Sequence, residues 1–285
     1  MSKLVYIWIA VKSLFTTCQF DQKVNHTEKV GSQYKIRKIG RLPTAVPESS
    51  GLAMHRDGTS FWTHNDSGGE ASLFRIDQKG ALIERRDIPH ATNRDWEELA
   101  QGPDGALFIG DMGNNGNSRK DLTIYKIQSP RAGQPIPPAE KIEFSYPDQK
   151  TFPPAPEDFN FDCEAFFYSN DSLYLFSKNR SKTKLFVKLY RIPATPGKYT
   201  ATLVDSLAMN SQITAADRSP DGKTFALLTY SKVLLFAIPS GRVNFDTPNG
   251  CFKFFHKQSE ALVFLNNTDL LATNEQGQIF KITRR

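Results

Sequence analysis

Apolar and polar residues alternate along most of the chain, and one alternating phrase occurs five times. Each copy consists of an apolar residue, an aromatic residue, usually a base, and isoleucine. The copies are residues 73–76, 124–127, 189–192, 235–238 and 279–282. Period-two alternation is typical of a half-buried β-strand. The spacing of about 45 to 65 residues matches a four-stranded propeller blade. The pattern therefore predicts an all-β fold, a β-propeller with five blades.

The two ends of the repeat region predict how the ring closes. The fifth repeat contains only three predicted strands, and an unpartnered alternating strand at residues 34–39 precedes the first repeat. Pairing these two completes the fifth blade and removes an exposed sheet edge. A sixth, degenerate blade within residues 128–161 is the alternative. The proline-rich stretch 153–156 is expected to be a loop on that segment.

The first eighteen residues differ in character from the repeats. Lys3 precedes an apolar run at residues 4–11 that is too short to span a bilayer, and small residues lead up to Cys18. This order is typical of a bacterial export signal, with Cys18 as a candidate lipid anchor. An ordinary signal peptide or a buried strand is the alternative. Residues 19–32 predict a tether and residues 33–285 the propeller domain, in an exported protein of the periplasm or cell envelope.

Composition changes this picture little. The 36 Lys and Arg residues exceed the 30 Asp and Glu residues by six, but they alternate with apolar strand positions. We interpret them as solvated strand faces, and no nucleic-acid-binding motif is present. Three cysteines do not make a disulfide framework. With Cys18 lipidated, Cys163 and Cys251 are expected to be buried free thiols. We expect a monomer that binds no nucleic acid.

The predicted topology brings acidic residues together. In a propeller the innermost strand and its neighbour are antiparallel, so the start of the first and the end of the second lie on one face, around the central channel. Glu48, Glu98, Glu164 and Glu260 stand at or near the starts of four inner strands. Ala215 occupies this place in the fourth repeat. An alignment on the second strands places Glu98 on Glu164.

Converging carboxylates repel one another unless a positive charge lies among them. A hard divalent cation is the simplest solution, and Ca²⁺ fits the oxygen donors, with Glu48, Glu98, Glu164 and Glu260 as ligands. Lys178 and Arg180 are alternative counter-ions. In a purely structural alternative, the glutamates accept hydrogen bonds from neighbouring blades.

Two glycine-rich polar loops follow second strands on the same face, at residues 65–69 and 111–117. Loops of this kind often hold binding residues, although Asn, Asp and Gly are also ordinary turn residues. Asp66 and Asp111 are the candidate catalytic bases. The candidate ligand-binding residues are Asn65, Asn114, Lys178, Arg180, Asp217, Asn274 and Glu275.

Several motifs together resemble a family of secreted bacterial β-propellers without an assigned activity. They lie at residues 48–52, 65–68, 95–100, 110–115, 162–165 and 214–222, so the resemblance covers nearly all of residues 40–285. More distantly, the chain is similar to the calcium-dependent propellers of the regucalcin/gluconolactonase and phytase-like groups. That resemblance implies a channel metal that polarises a lactone or phosphate oxygen. No lactonase or phytase motif matches residue by residue.

Two functions remain open from the sequence. The first is an extracytoplasmic binding module that holds a small molecule or a protein at an acidic, calcium-loaded channel mouth. The alternative is a metal-dependent hydrolase of a lactone or phosphoester. No nucleophile elbow, phosphate-binding loop or zinc-spaced Cys/His cluster is present in the sequence.

Overall fold

The computed structural model describes residues 18–285, which begin with a short helix and continue almost entirely as β-strands. The helix α1 (Cys18–Val24) and a 3-10 turn (Gly31–Gln33) lead into strand β1 (Tyr34–Arg41). The export signal predicted for residues 1–18 lies, apart from Cys18, outside the described residues. Within the described part of the chain, no helix is long and apolar enough to cross a bilayer.

The other strands form five sheets, one for each predicted repeat. Blade 1 consists of β2 (Ser49–Met54), β3 (Ser60–Asn65), β4 (Ser72–Asp77) and β5 (Leu82–Asp87). Blade 2 consists of β6 (Trp96–Gln101), β7 (Ala106–Asp111), β8 (Thr123–Gln128) and β9 (Glu140–Ser145). Blade 3 consists of β10 (Asp162–Ser169), β11 (Ser172–Lys178), β12 (Phe186–Pro193) and β14 (Thr202–Ala208).

Blade 4 consists of β15 (Ile213–Arg218), β16 (Thr224–Thr229), β17 (Lys232–Ala237) and β18 (Pro248–Lys253). Blade 5 consists of β19 (Ser259–Phe264), β20 (Leu270–Asn274) and β21 (Gln278–Arg284), with β1 as its outer strand. The short strand β13 (Gly197–Thr200) leaves blade 3 and pairs in parallel with β9, so it extends blade 2. The remaining 3-10 turns are Pro103–Gly105, Pro156–Asp158 and Pro239–Gly241.

The ring closes as the sequence predicts. β1 pairs antiparallel with β21, with Tyr34 opposite Arg284, and completes the fifth blade. The inner strands β2, β6, β10, β15 and β19 are neighbours in this order, and β19 packs against β2. A sixth blade is absent from the described chain, because residues 128–161 contain only β9, one 3-10 turn and loops. The five-bladed prediction is therefore confirmed.

The repeated phrase belongs to the third strand of each blade, but its burial differs from the expected half-buried pattern. In β4, Leu73 packs in a cluster with residues of blade 2, whereas Phe74 and Ile76 pack in a cluster with residues of blade 5. All three are at most 5% exposed. Each blade thus buries both faces against its neighbours, and only the base Arg75 in this phrase remains partly exposed.

The N-terminal segment differs from the expected tether, because it packs on blade 4. Cys18 forms a disulfide with Cys251 of β18, and Asp21 forms a fully buried ion pair with Lys232 of β17. The expectation that Cys251 is a free thiol is therefore wrong, while Cys163 is free and buried as predicted. A lipid on Cys18 would use the same Sγ atom as the disulfide, so the two states exclude each other.

Candidate functional site

A β-bulge at the same place in all five inner strands determines which side chains line the channel mouth. In each inner strand one residue near the start has no partner on the neighbouring strand. These residues are Ser50, Glu97, Glu164, Thr214 and Glu260. Bulges commonly redirect one side chain out of the regular alternation. The mouth is thus asymmetric, with glutamates from blades 2, 3 and 5 and hydroxyl residues from blades 1 and 4.

The bulges correct the sequence alignment by one residue. Glu97, and not Glu98, is the equivalent of Glu164 and Glu260. The cause is the length of the hairpin: Trp96 and its partner Asp111 are 15 positions apart, whereas the equivalent pair Cys163 and Ser177 are 14 positions apart. An alignment without gaps through the second strands therefore shifts blade 2 by one position. For the same reason the residue of blade 4 that occupies this place is Thr214 and not Ala215.

Glu98 is a structural residue inside the channel, below the mouth. Its Oε1 accepts a hydrogen bond from the backbone N–H of Leu99 and its Oε2 accepts one from Ala216 of blade 4, both at 3.0 Å. Because blades 2 and 4 are not adjacent, the side chain crosses the channel. Burial raises the pKa of Glu98 well above its usual range. This is the structural role that the sequence offered as the alternative to metal binding.

Small residues elsewhere make room for Glu98. The equivalent positions in the other blades are Gly51, Ala165, Ala215 and Ala261. A Cβ atom on Gly51 would lie 2.5 Å from the backbone nitrogen of Leu99, so blades 1 and 2 approach closely only because this residue is glycine. One large acidic side chain and four small residues therefore fill this level of the channel.

Three carboxylates from blades 1 and 2 converge at the mouth. Asp66, Asp95 and Glu97 each offer an oxygen within 4.8 Å of the other two. Two oxygens bound to one Ca²⁺ at 2.3–2.6 Å each lie no more than about 5 Å apart, so the group fits this ion. Burial, together with neighbouring carboxylates, raises the pKa of Asp66 to about 6 and raises the pKa of Glu97 well above its usual range.

The loop after β7 holds this carboxylate group in place. Asp95 accepts backbone hydrogen bonds on its carbonyl from Met112 and Gly113. A Cβ atom on Gly113 would lie 2.2 Å from Oε1 of Glu97 and 2.3 Å from Oδ2 of Asp95. Glycine is therefore required for the two carboxylates to lie against the backbone. Arg119 fixes the loop, because its guanidinium donates to the carbonyl of Gly113 at 2.9 Å.

Directly beside the carboxylate group, blade 3 supplies the cations, and its Glu164 shares a side-chain hydrogen bond with Glu97. Lys178 Nζ lies 2.9 Å from Oε2 of Glu164, and Arg180 Nη2 donates to Oε1 of the same residue at 3.1 Å. Burial acts to raise the pKa of Glu164, but the two cations hold it below its usual value. Lys178 also donates to the hydroxyl of Tyr230 at 3.0 Å. Lys178 and Arg180 therefore act as counter-ions of Glu164, because their ion pairs neutralise its carboxylate.

The acids of blades 5 and 1 form the remaining rim. Burial, opposed by Lys178 and reinforced by Glu164, raises the pKa of Glu260 to about 8. Glu260 shares a hydrogen bond with Glu275, and Gln258 donates a hydrogen bond to the carboxylate of Glu275. Glu48 is exposed at the edge, where its charge contributes to the raised pKa of Asp66.

Other predicted site residues serve the scaffold. The side chain of Asn114 bonds to the carbonyl of Phe161 and to the N–H groups of Ser118 and Arg119. Asp111 forms an ion pair with Arg119 at 3.1 Å, so its carboxylate is occupied rather than available as a base.

The last three candidates also make structural hydrogen bonds. Asn274 is fully buried and holds the loop around His256, and Asn65 donates to the carbonyl of Ala45. Asp217 lies further along the channel, where its Oδ2 accepts a hydrogen bond from Phe264 of blade 5 at 2.7 Å.

Sequence reasoning missed two members of the acidic group. The gap-free alignment selects Glu98 in place of its neighbour Glu97, and Asp95 precedes the predicted strand. The signal present in the sequence is the pair of acids, Asp95 and Glu97, on either side of Trp96.

One comparison with a solved structure supports the propeller fold. No protein-family model matches the chain, and no curated protein matches its sequence. The chain is similar in structure to the PQQ-bound aldose sugar dehydrogenase of Streptomyces coelicolor, with 10% sequence identity and a TM-score of 0.54 over 88% of this chain and 98% of that one. A protein of unknown function from Desulfotomaculum acetoxidans has 15% identity and a TM-score of 0.42, covering 83% of this chain and 68% of its own. The chain is thus a five-bladed β-propeller with an acidic channel mouth.

Proposed function

We infer that the protein is an extracytoplasmic binding module whose channel mouth binds Ca²⁺ through Asp66, Asp95 and Glu97. The observation that supports this most directly is the convergence of three carboxylate oxygens within 4.8 Å. No cation of the described chain lies within ion-pair distance of any of the three. A hard cation with oxygen ligands would remove the repulsion among them.

A metal bound at the mouth would remain accessible to a ligand from one face of the propeller. Glu98 obstructs the channel from below, so a ligand reaches the metal only from the face that carries the loops. A bound Ca²⁺ commonly completes its coordination with water or ligand oxygens. The metal would therefore attract an oxygen-bearing group of a small molecule or a protein, which makes the mouth a binding site.

The disulfide supports the extracytoplasmic location. Disulfides persist in oxidising compartments and are rare in the cytosol. The bond between Cys18 and Cys251 joins residues 233 positions apart in sequence, so it constrains most of the chain. This agrees with the export signal expected for the first eighteen residues.

Calorimetric titration of residues 18–285 with CaCl₂ tests the metal site. We expect micromolar binding by the wild type and at least a tenfold loss of affinity in Glu97→Gln. The matched control is Glu98→Gln, which makes the same change one residue further along and outside the mouth. Equal affinity in the wild type and Glu97→Gln, or no heat with the wild type, would refute the proposal.

The hydrolase is the second candidate, favoured by one observation. Asp66 lies in the carboxylate group and burial raises its pKa to about 6, so in this alternative Asp95 and Glu97 would hold the metal and Asp66 would act as the general base near neutral pH on a metal-bound substrate. A screen of lactones and phosphoesters with and without Ca²⁺ tests it. Turnover that requires Ca²⁺ and is lost in Asp66→Asn would establish an enzyme.

A further inference from the structure

The outer strands of blade 5 contain a run of basic residues without acids. β1, β21 and the residue after β21 contain seven Lys and Arg residues and no Asp or Glu. The seven are Lys35, Arg37, Lys38, Arg41, Lys281, Arg284 and Arg285. We call them the blade 5 basic surface. None of the ion pairs formed by residues 18–285 involves any of them.

Blade 1 shows that this is not a general property of outer strands. There Arg75 pairs with Glu84 at 3.2 Å, and Arg85 pairs with Asp87 at 3.0 Å. Basic side chains on that blade are matched by acids on the same or the next strand. On blade 5 none of the seven bases forms such an ion pair within the described chain, and the acid beside them, Asp269, accepts the backbone N–H of Arg284 through Oδ1 at 2.9 Å.

The strand register places like charges opposite each other. Arg37 of β1 is the direct cross-strand partner of Lys281 of β21. Directly opposed like charges destabilise a sheet. An anion that approaches from outside reduces the repulsion between two such cations. The exposed side chains of Lys35 and Arg37 lie on the same face of β1, where an anion can reach them.

An exposed aromatic residue lies in the loop between β18 and β19, which packs on β21. Phe255 is 50% exposed, whereas its neighbours Phe254 and His256 pack on Phe280 of β21, with ring centroids 5.6 Å and 4.2 Å away. The exposed base Lys253 ends the adjacent strand β18. Phe255 therefore lies in a loop that contacts β21, and half of its side chain is not buried against the rest of the protein.

We propose that the blade 5 basic surface and Phe255 dock on an anionic phospholipid bilayer. Lys and Arg near such a surface are attracted by the negative headgroups, and an aromatic side chain inserts at the interface. A single-stranded nucleic acid fits less well, because the rings of β1 and β21, Tyr34 and Phe280, are buried and offer no stacking platform.

Vesicle co-sedimentation of residues 18–285, which contain the whole ring, tests the docking. The vesicles are pure phosphatidylcholine or phosphatidylcholine with about a third phosphatidylglycerol. The test variant is Lys35→Gln/Arg37→Gln/Lys281→Gln. The matched control, Lys182→Gln/Lys198→Gln/Lys223→Gln, removes the same charge from exposed positions of other blades.

We expect binding to the anionic vesicles only, weakened by salt. The test variant should bind roughly 100-fold more weakly, at about fivefold for each lost charge, and the control should bind nearly as the wild type does. Phe255→Ser should weaken binding that remains at high salt. Circular dichroism melts confirm that each variant is folded.

Three results would overturn the proposal. Equal binding to neutral vesicles would exclude the electrostatic surface, and equal losses in the test and control variants would show a dependence on net charge alone. A test variant that binds as the wild type does but self-associates would show that the charges only protect the edge strand.

Discussion

At the scale of single residues, the candidate site depends on where glycine and alanine allow a carboxylate to fit. Gly113 lies against Asp95 and Glu97, and Gly51 lets blades 1 and 2 meet beside Glu98. The sequence shows the acids but does not show which of two consecutive glutamates faces the mouth. The bulge decides this, because it turns Glu97 outward and leaves Glu98 inside the channel.

Gly113→Ala should disrupt the metal site while leaving the fold intact. The added Cβ would meet carboxylate oxygens at 2.2 and 2.3 Å, so Asp95 and Glu97 must move apart. We expect Ca²⁺ affinity to fall at least tenfold by calorimetry. Gly116→Ala is the control, since the nearest atom to its Cβ would be 3.5 Å away. Equal affinities in the two variants would contradict this account of the loop.

Asp217→Asn should make stability less dependent on pH. Burial raises the pKa of Asp217 to about 7 in the folded protein, above the value of about 4 expected in the unfolded chain. The folded state therefore binds the proton more tightly, and its stabilisation is present below pH 4 and is lost as pH rises through 7. Asparagine stays neutral and still accepts from Phe264.

Urea unfolding at pH 5 and pH 8 checks this prediction. The free energy of unfolding of Asp217→Asn should be close to that of the wild type at pH 5 and higher than that of the wild type at pH 8. A variant that is less stable than the wild type at pH 8 would show that burial does not penalise the ionised carboxylate of Asp217 as inferred.

At the scale of elements, the N-terminal segment stabilises the outer edge of blade 4. α1 is tied to β18 by the disulfide, and the backbone of residues 28–30 bonds to Cys251. The polar composition that predicted a tether is explained by the partners this segment finds, such as Lys232 for Asp21. These partners lie about 200 residues away in sequence, so no local pattern shows them.

Cys18→Ser/Cys251→Ser should lower the stability of the protein markedly. Removing a cross-link between residues 233 positions apart returns chain entropy to the unfolded state, at most about 5 kcal/mol in the loop-closure model. Guanidinium unfolding should show a lower midpoint for the variant, and reductant should lower the wild type to a similar value. Cys163→Ala, which leaves the disulfide in place, should not respond to oxidant or reductant differently from the wild type.

At the scale of the whole molecule, the pairing of β1 with β21 closes the ring and determines whether the protein is a monomer. The pairing of β1 with β21 leaves no open edge on the second of these strands. The repeat spacing predicts this closure correctly, since it depends only on the count of strands. The blade 5 basic surface, in contrast, appears only when β1 and β21 are brought together from opposite ends of the chain.

Deleting residues 18–41 should open the ring and cause association. The unpaired edge of β21 would template pairing with another copy. Size-exclusion chromatography should show dimers or larger species, whereas deletion of residues 18–29 alone, which keeps β1, should leave a monomer. A monomeric, fully folded product of the longer deletion would show that the ring does not need the strand.

The sequence by itself determined the blade count, the closing strand and the face on which the acids gather. These follow from strand periodicity and from the antiparallel path of the chain, which are local or countable properties. Only the tertiary structure decided that Glu97 replaces Glu98 at the mouth, that Glu164 is neutralised by Lys178 and Arg180, and that Cys18 binds Cys251. The first depends on a one-residue difference in hairpin length, the second on ion pairs across the β10–β11 hairpin of blade 3, and the third on a contact between residues 233 positions apart. None of these leaves a periodic trace in the chain.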